Sequence, residues 1–148
     1  YHANTYLHRE FRKLWGNDET FYNGAGFNIP TIGVGRGMHR EYHYNTDNLD
    51  NLSLYKMEES CWILLRMIDV FETDAVPILN YKGPLYLSRY DMFIDHKEDR
   101  KGYDATEKMQ ILADGRNSCF DIADRLDLDF FFVKDFFQKL EDRDLCTF

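Results

Sequence analysis

Helical spacing of apolar residues is clearest in the middle of the chain. Ser53 is a good N-cap, and Met57, Cys61, Leu64, Ile68 and Phe71 follow at intervals of three and four, which predicts a helix over 53–72. A second helix is predicted over 4–14, with Asn4 or Thr5 as N-cap and Leu7, Phe11 and Leu14 on one face. Trp15-Gly16-Asn17-Asp18 stops it. Residues 15–30 are rich in Gly, Asn and aromatics, lack periodicity and read as a structured loop. Thr31 to Val34, short and apolar between Pro30 and Gly35, predicts a buried strand. Residues 38–52 are polar and read as an ordered loop.

The pattern changes after Thr73 to Pro77, the predicted domain boundary. Leu85 to Ile94 suits a strand or a short helix, and His96 to Lys101 a solvated loop. Thr106 to Ala113 reads as a helix closed by Asp114-Gly115, the glycine fitting a left-handed terminal position. Ser118 caps a short helix through Asp124, and Asp127 or Asp129 opens another, with Leu126, Phe130, Val133, Phe137 and Leu140 along one stripe. Three helices of this size, the last two divided by a tight turn, form a helix-turn-helix or winged-helix pattern. Phe131, Phe132 and Phe136 lie off the main stripe and suit either a wider core face or an interface.

Composition narrows the function classes. Apolar residues make up 44%, aromatics 16% and charged residues 30%, which excludes disorder, collagen-like repeats and a coiled-coil architecture. Lys and Arg total 18 against 26 Asp and Glu, a net charge of −8 that repels phosphate backbones and anionic lipids. No nucleic-acid or membrane partner is therefore expected. The greasiest stretch, Ser60 to Val70, is interrupted by Arg66 and Asp69 and falls short of the roughly 20 residues that cross a bilayer. Cys61, Cys119 and Cys146 are odd in number and form no Cys-x-x-Cys pair, as in a reduced, cytoplasmic protein.

Candidate chemistry lies in 16–47. Asp18 and Glu19 precede a Gly-rich turn, a predicted strand follows, and His43 has Asp47 four residues on. One imidazole with a carboxylate to hold its other nitrogen suits a metal ligand and its orienting acid, although a lone loop histidine is more often solvated or hydrogen-bonded. His39 and His43 are also four apart, but Glu41 between them fits neither zinc-peptidase helix pattern, and Gly35 and Gly37 disfavour a helix. Gly33-x-Gly35-x-Gly37 lacks the Gly-Lys-Ser/Thr of a phosphate cradle. Arg36 and Arg40 can receive a substrate carboxylate or, more commonly, pair with a neighbouring acid.

The succession of Asn17-Asp18 with Phe21, Gly26 through Pro30 to Val34, and Tyr42-His43 with Asp47 resembles the last third of the di-zinc exopeptidases of the bacterial leucyl aminopeptidase clan. It is most similar to bacterial aminopeptidase-like proteins with a C-terminal winged helix. The resemblance implies an α/β class: a C-terminal portion of a phosphorylase/hydrolase-like peptidase domain over 1–74, then a small α+β winged-helix domain over 78–148. It implies zinc in the complete protein and a peptide or amide small-molecule substrate. His43 would be the final zinc ligand and Asp47 its structural acid. Asp18 and Glu19 would form the rim of the substrate pocket, and Phe21, Tyr22 and Phe27 its wall, with Arg36 at the substrate end. In that family zinc polarises the scissile carbonyl and activates water, with a glutamate as general base. A further histidine, a bridging aspartate and that glutamate are expected before Tyr1, so this chain, taken alone, is expected to be an inactive piece.

The acidic start of the last helix, Asp127-Leu128-Asp129, suits DNA reading poorly, since groove-reading helices present Arg, Lys, Asn and Gln. The winged helix is expected instead to dock, on the peptidase domain or on a second subunit. A regulatory interaction module without catalysis is the competing class.

Overall fold

The computed structural model describes residues 9–10, 13, 16–37 and 39–148. The helix expected over 4–14 falls mostly on residues outside the described ones, and residues 9, 10 and 13, which are described, are not helical. The chain divides into two compact units, Tyr1–Ser60 and Cys61–Phe148. It is mostly helical, with one small sheet.

In the amino-terminal unit the elements are short. Helix α1 spans Glu19–Tyr22 inside the Gly-rich loop, and a 3-10 turn at Leu49–Asn51 begins at Asn48, whose side chain accepts from the Asp50 N–H. The buried strand expected at Thr31 to Val34 is not one: among the described residues 31–37 pairs with no strand, and Ile32 and Val34 are more than half exposed. An apolar run needs a ladder partner and a covering layer to become a strand, and no described residue of this unit is buried.

Helix α2, Leu54–Thr73, runs from the first unit into the second. Ser53 caps it, its Oγ accepting from the Lys56 N–H at 3.4 Å. Its outline matches the sequence pattern, yet the stripe of Met57, Cys61, Leu64, Ile68 and Phe71 is exposed. Val70 instead packs against the core of the second unit.

That second unit has the buried interior. Helices α3 (Arg100–Leu112), α4 (Cys119–Leu126) and α5 (Phe130–Glu141) pack together, with α4 against both α3 and α5. Strand β1 (Ile78–Leu79) pairs antiparallel with β2 (Cys146–Thr147), and Asp114 bridges to Ile78 beside them. Val133, Phe137 and Leu140 of α5 are fully out of water, with Met109, Ile122 and Cys119 from the facing helices. Phe136 joins this core, so the apolar face of α5 is wider than one stripe.

The starts of α3, α4 and α5 each have a visible cause. Asp99 caps α3 by accepting from Gly102 N at 2.8 Å, so α3 begins six residues before the expected Thr106 and absorbs the end of the supposed solvated loop. Ser118 and Asp121 form a reciprocal capping box on α4, and the Asp129 carboxylate accepts from Phe132 N on α5. Residues 74–77 are pinned: Asp74 Oδ1 accepts from Phe120 N, Ala75 O accepts from Cys119 N, and Pro77 is buried. Leu85 to Ile94 contains a 3-10 turn at Leu87–Tyr90 rather than a strand, and Asp91 follows it in the left-handed region at φ 54°. Among the described residues, no helix is long and apolar enough to cross a membrane.

The three thiols divide by environment. Cys61 is exposed, whereas Cys119 and Cys146 are buried. Burial pushes the Cys119 thiol from its ordinary 9.0 up to about 11, raises Cys146 in the same direction, and lifts Tyr81 from 10.0 to about 12. Cys61 should therefore react with a maleimide in the native protein, while the other two wait for unfolding. Above pH 9 the unfolded chain releases protons that folded Cys119 and Tyr81 retain. Stability should accordingly fall as pH climbs from about 9 to about 12, read as a declining urea midpoint. A midpoint that is flat across that range contradicts the assignment.

Candidate functional site

The loop that carries Asp18, Glu19 and the aromatic residues is organised by Asn23, which the sequence pattern did not single out. Its Nδ2 donates to Glu19 O at 3.0 Å and to Thr31 O at 2.8 Å, and its Oδ1 accepts from Thr31 N at 3.2 Å. One amide side chain thus satisfies both backbone groups of Thr31, as a neighbouring strand would. Ile29 N donates to Tyr22 O at 2.9 Å and closes the same loop. An Asn beside glycines is a turn signal, but its partner eight residues on cannot be read from spacing.

Asp18 occupies the position before α1 without capping it. Glu19 is half-buried, its Oε1 accepts from Asn17 N at 2.8 Å, and its carboxyl lies beside Gly33. Phe21 and Phe27 stack at 4.8 Å between ring centroids, with Tyr22 edge-on to Phe21 at 5.8 Å. All three rings are exposed, so they form a surface cluster in this chain rather than the wall of an enclosed pocket.

Arg36 is committed to α2. Its Nη2 donates to Lys56 O at 2.9 Å and to the Glu59 carboxylate, and its Nε donates to Ser60 Oγ at 3.0 Å. The guanidinium that the resemblance would set at the substrate end therefore tethers the 31–37 segment to the helix.

The histidine turn differs from the expected pairing. Asp47 Oδ1 lies 3.1 Å from His39 Nε2, so the acid expected beside His43 holds the other imidazole. His43 sits at φ 68°, in the left-handed region, within a run of turns over 40–46. Its ring packs edge-on to Tyr42 at 4.1 Å, and Tyr42 in turn meets His39 at 6.1 Å. The ring nitrogens of His43 make no hydrogen bond among the described residues.

These donors do not make a zinc site by themselves. A catalytic zinc takes three protein ligands, and among the described residues no group of three His, Cys, Asp or Glu is placed to hold a metal. The buried polar side-chain atom left without a partner among the described residues is Thr20 Oγ1, which is not a usual zinc donor.

The model of a family described as a domain of unknown function, DUF4910, matches residues 1–74, half of the chain, and the chain belongs to that family. No curated protein and no solved structure matches the chain.

Replacing Asn23 with Ala should open the loop at one defined place. Amide exchange at Thr31 should accelerate first, with a stability loss of about 1 kcal/mol for the hydrogen bonds removed. Unchanged protection at Thr31 would contradict this role for the side chain.

Proposed function

We propose that the amino-terminal part of this chain contributes to a zinc-dependent aminopeptidase-type amide hydrolase, and that 78–148 is a winged-helix-type docking module attached to it. The observation that carries the reading is His43: an exposed imidazole on a tight turn, held on one side by Tyr42, with neither nitrogen hydrogen-bonded among the described residues. The order of motifs around it, from Asn17-Asp18 to Asp47, adds support through the aminopeptidase resemblance. On this reading His43 offers one ligand, and the partners it needs lie beyond the described residues. Asp18, Glu19 and the Phe21–Phe27 pair would border a peptide or amide substrate.

For 78–148, support comes from the three-residue turn between α4 and α5 and from strand β2 as the next element after α5. The cations of α5 are occupied, Lys139 by Asp135 at 2.7 Å and Lys134 over the Phe148 ring at 3.5 Å, which favours protein docking over DNA reading. A second reading, a non-catalytic interaction module, is favoured by the uncovered apolar face of α2.

The two readings separate in the intact protein. On the first, His43→Ala should weaken zinc binding about a hundredfold or more, beyond the usual cost of losing an outer-shell partner, and should abolish hydrolysis of amino-acid anilides. The 148-residue chain alone should hydrolyse none of them. Zinc content unaffected by His43→Ala would leave the interaction module, and brisk turnover by the isolated chain would place the active site elsewhere.

A further inference from the structure

Helix α2 carries an unpaired seam. Leu54, Met57, Cys61, Leu64, Ile68 and Phe71 recur in steps of three, four, three, four and three, the repeat that keeps one stripe facing a second helix. The stripe runs about 25 Å along the helix. Its large side chains are exposed, from 43% at Leu64 to 83% at Leu54. The side of α2 that does meet its own unit lies elsewhere, through Val70 and through Arg66, whose guanidinium sits 3.6 Å from the centre of the Phe131 ring.

The charges beside the seam are all of one sign. Glu58 and Glu72 flank it with Leu65 between them, and Asp69 lies one step further round; all three carboxylates are exposed and make no ion pair among the described residues. The cations of the helix are turned away: Arg66 is on Phe131, and Lys56 falls on the opposite side of the helix from the acidic edge. Pairing with a second copy gains nothing from this arrangement. Run antiparallel, Glu58 would face the Glu72 of the other copy; run parallel, the acidic row would meet Ser60 and Met67.

We propose that this face of α2 docks an amphipathic helix of another protein, one with an apolar seam of the same period bordered by Lys or Arg. The seam supplies the buried area, and the acidic edge selects the partner and its orientation.

A helical three-heptad peptide with a leucine seam and flanking lysines, and its twin with flanking glutamates, test this by calorimetric titration into the 148-residue chain at low salt. The lysine peptide should bind about tenfold more tightly, three carboxylates each contributing as exposed pairs do. The double variant Glu58→Lys/Glu72→Lys should reverse the order. Leu64→Glu/Ile68→Glu should abolish binding with an unchanged circular dichroism spectrum, since both side chains are exposed. Equal affinity for the two peptides, binding of neither, or binding that survives Leu64→Glu/Ile68→Glu overturns the proposal. So does sedimentation showing that the chain dimerises through this seam until Ile68→Glu dissolves the dimer.

Discussion

The removal of one face of α5 from water is the interaction on which the carboxy-terminal unit of this protein depends. Val133, Phe137 and Leu140 are completely buried, and a side chain of that size is stabilised by about 1.5–3 kcal/mol on full burial. Met109 from α3 and Cys119 and Ile122 from α4 complete the same cluster. The peripheral features then follow from the need to satisfy backbone at the edges of that core. The carbonyl of Ala75 and the Asp74 carboxylate accept from the first N–H groups of α4, and β2, the element after α5, finds its ladder partner in β1.

The amino-terminal unit is built on another principle. With no buried side chain among its described residues, it relies on hydrogen bonds that are each worth about 1 kcal/mol. Asn23 stands in for a strand against Thr31, and Arg36 fastens the following segment to α2 through a carbonyl, a hydroxyl and a carboxylate. Polar ties of this kind fix the course of a loop without enclosing a cavity, which is why Phe21, Tyr22 and Phe27 remain on the surface.

How much was legible in the sequence tracks how local each cause is. Ser53, Ser118 and Asp129 cap the helices their positions announce, because capping is settled within three residues. Phe130, Val133, Phe137 and Leu140 were readable as a stripe because α5 presents all four, whereas Leu126, expected on the same stripe, ends α4. The strand at Thr31 to Val34 was not, since apolar residues between Pro30 and Gly35 satisfy a local rule while the deciding factor, a paired and covered neighbour, is non-local. Asp99 was passed over as the start of α3 because the charged run before it reads as loop. At the candidate site the residue types were readable and their partners were not. Four-residue spacing suggested that Asp47 holds His43, but the left-handed turn at His43 directs its ring onto Tyr42 and leaves Asp47 to His39, eight residues away.

Helix α2 shows why periodicity alone misjudges direction. Its apolar residues span more of the circumference than one partner needs, and the moderate burial of Ile63, Met67 and Val70 marks a different side from the stripe that dominates the sequence. A helix wet on a purely polar face needs no further neighbour; a helix apolar on two sides needs two. Val70 and Arg66 meet the first requirement within the carboxy-terminal unit. The second is left to the seam from Leu54 to Phe71, whose acidic border gives it a sign as well as a shape. The family match ends at residue 74, one position past the helix, so α2 is the last element of its family domain as well as a buttress for the helices that follow. Arg36 ties the 31–37 segment to the first turns of the helix within one unit, and Arg66 meets Phe131 within the other.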